Sequence, residues 1–194
     1  MYSQNNEEEI ILNYFKDTYP GKFIDIGAFN PFAFSNTRCL VEKGWTGVFV
    51  EPSPIAFKSF EKEYTDGRHT LINSAIGYKN GELIFHESNG DALSTSDIKH
   101  KKKWQKAGVK FNEITVPVIA MSDFIDQYGH DCLFLDLDVE GVNYELFQLI
   151  PDWFLNECKL ICIEHDGKHF EILNKLILFG FKKLSMNKEN LIMG

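Results

Sequence analysis

The chain has no apolar run approaching the roughly 20 residues that cross a bilayer, which excludes a helical membrane protein from the reading. Positive charge is also scarce. Twenty Lys and Arg stand against 28 Asp and Glu, a net charge of −8, and an acidic surface argues against broad binding to nucleic acid or anionic membranes. There are only four cysteines (Cys39, Cys132, Cys158 and Cys162), none at paired metal-ligand spacing. Three of them fall in apolar segments, which reads as buried free thiols in a reducing compartment. The amino terminus, MYSQNNEEE, is acidic and polar, unlike a signal or transit peptide. No repeat or linker interrupts the sequence, so residues 1–194 are expected to form one cytoplasmic domain with a full hydrophobic core.

The apolar pattern alternates short strands with helices. Phe23–Ile26 is a β-branched and aromatic run between Gly21 and Gly27, Ser35–Lys43 reads as a helix closed by Gly44, and Gly47–Val50 is the next strand. Before them, Asn5 or Asn6 is placed to cap a first helix that opens on Glu7–Glu9. After them, Pro54 begins a helix carrying Phe57 and Phe60, and His69–Asn73 reads as a third strand. Ala75–Gly77 is expected to be a loop, and Glu82–Glu87 an antiparallel hairpin partner turned by Asn80-Gly81. Residues 88–110 form an irregular insert, first polar and then lysine-rich. Glu113–Ile119 is a strand, and Ser122 is the expected cap of the helix that follows. Cys132–Leu137 is apolar apart from Asp136, as a central buried strand would be. A helix over Val142–Leu149, a strand over Leu160–Ile163 and a helix over Ile172–Leu178 lead to a terminal hairpin, Phe181–Leu184 and Asn190–Met193. The sum predicts an α/β three-layer sandwich: a Rossmann-like, mostly parallel seven-stranded sheet with one antiparallel strand near the carboxyl terminus.

Ligands of such sheets bind outside the carboxyl ends of the strands. Asp25 and Glu51 flank a glycine turn there, which suits an adenosine-containing ligand. A dinucleotide fingerprint would need glycine where Phe29 and Phe32 stand. Without them the backbone cannot approach a pyrophosphate, so adenosine bearing a methionine-like tail fits better than NAD(P). Asp136 and Asp138 lie two apart on one strand and so share a face. Glu164 and His165 end the neighbouring strand, where a histidine has the pKa for general base work. These carboxylates could instead hold a divalent ion, but their spacing is not diagnostic and no metal is assigned.

Three blocks, FIDIGAFNPFAFSNT, VEPSP and FLDLDVEGVNYELF, with VPVIAMSDFI and CIEHD in support, give a chain that resembles the FkbM family of S-adenosylmethionine-dependent methyltransferases. The resemblance implies an enzyme using S-adenosyl-L-methionine. Asp25, Gly27 and Ala28 would line the methionine end, Glu51 the ribose, and Ala75 and Ile76 the adenine, with Asn30, Ser35, Asn36, Thr37, Pro52 and Ser53 as further cofactor contacts. Asp138 would stand by the sulfonium, with Glu140 and His165 as further catalytic groups. Lys103, Trp104, Asp136 and Glu164 would meet the acceptor. The acceptor is expected to be a small-molecule or glycan hydroxyl, and the lysines of the insert point to an anionic one. The chain is short, so acceptor recognition falls to the 88–110 insert or to a partner subunit of a homo-oligomer. The rival readings are a non-catalytic S-adenosylmethionine-binding domain and an NAD(P)-dependent oxidoreductase.

Overall fold

The structure is a computed structural model describing residues 1–194. Its elements run α1 (Glu7–Tyr14), β1 (Lys22–Ile26), α2 (Arg38–Val41), β2 (Thr46–Val50), α3 (Pro54–Glu63), β3 (Thr70–Ile72), β4 (Ala75–Gly77), β5 (Gly81–Glu87) and α4 (Ile98–Lys106). Then come β6 (Asn112–Ala120), α5 (Met121–Tyr128), β7 (Cys132–Leu137), α6 (Asn143–Gln148), α7 (Asp152–Glu157), β8 (Leu160–Glu164), α8 (His169–Leu178), β9 (Lys183–Met186) and β10 (Asn190–Met193).

Seven strands make the main sheet in the order β3-β2-β1-β7-β8-β10-β9. The first five pair in parallel, and β10 lies antiparallel between β8 and β9. This is the expected Rossmann-like sheet with its single reversed strand. Strand alternation sorts the core into two layers. Ile24, Ile26, Leu135 and Leu137 pack with residues of α5 to α8, including Phe124, Phe147, Phe154 and Ile172. Phe23, Phe49 and Phe134 pack on the other side with Ile11, Leu40 and Phe60 of α1 to α3. Each buried aromatic or aliphatic side chain contributes about 1.5–3 kcal/mol, so the two layers fix the strand register. That register sets Asp25 directly beside Asp136 on the α1–α3 side of the sheet.

Local expectations were corrected in four places. Ala75–Gly77 is a short strand, not a loop, because its backbone pairs in parallel with β6. Asn80-Gly81 does not turn a hairpin: β6 lies between β4 and β5 in a separate three-stranded sheet, and β5 pairs antiparallel with it. Ser122 does not cap α5, whose N-cap is Ala120. The helix expected over residues 35–43 is confined to Arg38–Val41, since Ser35 and Thr37 turn their hydroxyls to other work described below. Helix α7, which begins directly after Pro151, was not expected from the apolar pattern. No helix is long and apolar enough to cross a membrane.

Candidate active site

The chain winds outward from β1 to β3 and then returns to the opposite side of β1 with β7. The β1–β7 boundary is therefore the topological switch point where open α/β sheets hold ligands. A crevice lies there. It has two adjoining chambers that share Gly27, Phe29, Ala92, Asp138 and Glu140 in their walls.

The first chamber is bounded by the β2 end and the small sheet: Glu51, Pro52, Ala75, Ile76 and Phe85 line it. The turn after β1 is shaped around Glu51. Gly27 and Ala28 both donate their N–H to Val50 O, at 2.9 and 3.1 Å. Phe29, held in the left-handed region at φ +50, donates its N–H to Glu51 Oε2 at 2.9 Å. Ser53 N–H reaches Glu51 Oε1 at 2.6 Å. Burial pushes the Glu51 carboxyl up to about 7, and these two backbone donors hold it from going higher. Every N–H of the turn from 27 to 29 is thus spent inside the protein, and none is left to form a phosphate-binding nest. Each Glu51 oxygen, by contrast, keeps a second lone pair for a ligand hydroxyl.

Some expected contacts serve as scaffold instead. Ser53 caps α3, accepting Ala56 N–H at 3.2 Å and donating its hydroxyl to Glu87 at 2.9 Å. Asn30 closes its own loop, its Oδ1 accepting the N–H of Phe32 and Ala33 at 2.9 and 3.0 Å. Thr37 stands behind Asp25 and donates to its Oδ2 at 2.5 Å.

The second chamber holds the acidic residues. Asp25, Ser35, Asn36, Asp136, Asp138 and Glu140 are on its wall. Asn36 Nδ2 donates to Asp136 Oδ1 at 3.2 Å, and Ser35 Oγ accepts Arg38 N–H at 3.1 Å. Burial raises the proton affinity of Asp25 to about 7. Burial, and then the neighbouring Asp25 charge, raises that of Asp136 well above the carboxylate range. Asp138 is raised in the same direction by burial and by the charges of Glu140 and Asp136, and it shares a hydrogen bond with Glu164. Burial takes Glu140 up to about 8 and Glu164 up to about 9, with the facing carboxylates adding to both.

The turn that carries Asp138 and Glu140 is organised by Asn143, a residue the sequence reading passed over. Its side chain is fully buried. Oδ1 accepts Val139 N–H at 2.8 Å, while Nδ2 donates to Glu164 Oε2 at 2.6 Å and to Asp166 Oδ2 at 3.0 Å. The available signal was a lone amide opening the helix after an acidic strand end. Phe29, Phe85, Val139 and Ala92 on the chamber walls were likewise not foreseen.

His165 does not enter the crevice. Its Nδ1 accepts Gly167 N–H at 3.1 Å, which leaves Nε2 protonated and set against Asn187 O at 3.3 Å. The ring joins the loop after β8 to the β9–β10 turn, so neither nitrogen is available as a general base. Lys103 and Trp104 are also absent from the chamber walls. Helix α4 keeps Lys99, Lys102, Lys103 and Lys106 exposed, while Lys101 is half-buried and ion-paired to Glu113 at 2.8 Å. The part of the insert that closes the crevice is the polar loop before it, through Asp91, Ala92, Ser94 and Ser96. That loop is fastened at both ends. Glu87 accepts the N–H groups of Asn89 and Gly90 at 3.0 and 2.5 Å, and Thr95 Oγ1 donates to Glu140 O at 2.6 Å.

A mostly parallel sheet with a crevice at its switch point defines the Rossmann-like class of α/β domains. Within that class, residues 25–183 match the methyltransferase FkbM domain, and the chain belongs to that family. A crystal structure of methyltransferase FkbM from Methylobacillus flagellatus KT superposes with a TM-score of 0.56 at 15% identity, over 90% of this chain and 44% of that one. The chain thus covers under half the length of that protein, and the likeness is one of fold. No curated protein sequence matches the chain.

Proposed function

We propose that the crevice binds S-adenosyl-L-methionine and that the chain is a methyltransferase acting on a hydroxyl oxygen of a sugar, glycan or other small molecule. The observation that carries this reading is the β1 turn. Its N–H groups are turned inward to Val50 and Glu51, which denies a pyrophosphate its cradle while leaving the Glu51 carboxylate for a ribose. The rest of the two chambers fits the same cofactor. Ala75, Ile76 and Phe85 offer an apolar slot for a purine, and Asp25 with its neighbours offers carboxyl groups that a bound ammonium or sulfonium would draw toward the ionised form.

When bound, the cofactor supplies a methyl group on a positively charged sulfur. The chain's residues do the rest by alignment and by exclusion of water. Ala92 covers the junction of the chambers, where Asp138 and Glu140 meet. Glu140 is the group placed to take the hydroxyl proton. It lines both chambers; burial pushes its carboxyl up to about 8, so it must first give up its own proton, and positive charge bound in the crevice would favour the ionised form that then takes the hydroxyl proton.

Calorimetric titration with S-adenosylhomocysteine tests the reading directly, and absence of binding would overturn it. Glu51→Ala is expected to weaken that binding by about 1–3 kcal/mol, the cost of leaving ligand hydroxyls without their buried partner. An unchanged affinity would remove Glu51 from the ribose site.

A further inference from the structure

The first six residues precede α1 and lie outside the stretch matched by the family, yet they are strapped across the crevice. At one end the Tyr2 hydroxyl donates to Glu42 Oε1 at 2.5 Å, just past α2, and the Arg38 guanidinium lies 5.9 Å from the Tyr2 ring. At the other end Asn5 Nδ2 donates to Glu189 Oε2 at 2.8 Å, in the β9–β10 turn. Between them Ser3 N–H bonds Glu8 Oε2 at 3.0 Å, and Glu8 N–H returns to Ser3 Oγ at 3.2 Å. The next residue in the chain, Glu7, is buried and accepts Asn187 and Asn190 Nδ2 at 2.8 and 2.9 Å. A segment held at both ends and in the middle presents Gln4 to the second chamber, on the wall with Asn36, Asp136 and Glu140. Gln4 is exposed at this wall and its amide makes no hydrogen bond within the chain, so its donor and acceptor can exchange water for a ligand.

The same chamber is lined by Phe34, 56% exposed, in the left-handed region at φ +59 and stacked on Phe29 with ring centroids 6.2 Å apart. An amide, a flat aromatic face and several carboxyl groups suit a molecule with a C–H face and many hydroxyls. No Lys or Arg lines either chamber, whereas Asp25, Asp136, Asp138 and Glu140 do. An anionic acceptor would find no cationic side chain on those walls to pair with.

We propose that Gln4 is a specificity-determining residue for the acceptor, and that the acceptor is an uncharged polyhydroxylated molecule rather than an anionic one. The proposal rests on the methyl-transfer reading above. In the step it serves, the carbon–sulfur bond of the cofactor breaks as the methyl bonds to a hydroxyl oxygen, and that hydroxyl's proton passes to Glu140.

The full chain is assayed with methyl-labelled S-adenosylmethionine against two probe sets: methyl glycosides of glucose, mannose and galactose, and the 6-phosphates of the same sugars. Affinity for S-adenosylhomocysteine is measured alongside. Label is expected in the neutral set, with kcat/KM at least about tenfold above the phosphates, since a phosphate would be desolvated in a crevice whose walls carry no Lys or Arg to pair with it. Gln4→Ala is expected to raise the acceptor KM about three- to tenfold, the loss of one hydrogen bond to an uncharged partner. Its kcat and its S-adenosylhomocysteine affinity should stay unchanged, and Gln4→Asn should recover part of the loss. Preference for the phosphates, an unchanged KM in Gln4→Ala, or cofactor binding with no transfer to any probe overturns the proposal alone. Failure of the wild-type chain to bind S-adenosylhomocysteine overturns the cofactor reading on which it rests.

Discussion

Replacing Glu164 with Gln should stabilise the cofactor-free protein, and only at high pH. Burial, followed by the charges of Asp138 and Asp166, moves the Glu164 carboxyl from its ordinary 4.5 up to about 9. Between those values the folded chain keeps a proton that the unfolded chain has released. Stability therefore falls as pH rises across that window, because the native state is the one binding more protons. A shift of this size sets a ceiling of about 6 kcal/mol at 1.36 kcal/mol per pH unit. The hydrogen bond shared with Asp138 divides the proton between the two groups, so the expected loss assignable to Glu164 is nearer 1–3 kcal/mol, on the order of one buried unsatisfied polar group. A glutamine keeps both neighbours: its amide can donate to Asp138, and its carbonyl can accept Asn143 Nδ2 where Glu164 Oε2 now does at 2.6 Å. Urea unfolding at pH 5, 7 and 9 is the assay. The variant should match wild type within about 0.5 kcal/mol at pH 5 and exceed it by about 1–3 kcal/mol at pH 9. A difference that is flat across pH, or a variant destabilised at pH 9, would refute the shared-proton account of the Asp138–Glu164 pair.

Asn143→Ala should cost about 3 kcal/mol in the same unfolding assay, since it strips partners from Val139 N–H, Glu164 and Asp166 at once. A loss below about 1 kcal/mol would show that water replaces all three. Gly27→Ala should destabilise by about 3 kcal/mol or more, because φ is +88 there and a Cβ would sit 1.7 Å from Asp138 O. Soluble, wild-type-like Gly27→Ala protein would contradict that geometry. All four thiols are free and buried, and burial pushes Cys39 up to about 12. An aromatic disulfide reagent at pH 8 should therefore label none in the native chain and four in denaturant.

The main sheet was legible because its strands are short runs of large apolar residues, punctuated by glycine and proline at the places where the chain turns. The small sheet was not. Ala75–Gly77 carries no strand pattern of its own, and it becomes a strand only because Val118–Ala120, over 40 positions later, pairs with it. Half of the site could likewise be read from strand ends: Asp25, Glu51, Asp136 and Asp138 all follow from period-two alternation and the switch-point rule. His165 and Lys101 stay off the crevice walls for one shared reason. A residue type states what chemistry is available, but only the partners taken by each atom state whether it is free. His165 spends both ring nitrogens in the loop, and Lys101 spends its charge on Glu113. Gln4 and Asn143 show the converse. An uncharged amide attracts no attention in a sequence, yet one of them holds the acidic turn and the other reaches a chamber across a strap.

The β1 turn and the turn after β7 are separated by more than 100 residues, but they form one piece of structure. Asp138 N–H bonds Ile26 O at 2.9 Å, and Asp138 O lies where a Cβ on Gly27 would be. That contact closes the floor between the two chambers. It also explains the chemistry of glycine at this turn. In a dinucleotide fold the glycines let a phosphate approach the backbone. Here Gly27 lets another backbone approach, and the N–H groups that a phosphate would have used are bonded to Val50 and Glu51. The phenylalanine at position 29 is then no defect of the motif. Its left-handed backbone directs its N–H onto Glu51, and its ring joins Phe34 at the mouth of the second chamber. The same turn thus sets Glu51, the carboxylate proposed for the ribose, on one side and the aromatic rim on the other. A change that loosened it should disturb cofactor and acceptor together, which separates it from Gln4, whose loss should be felt by the acceptor alone.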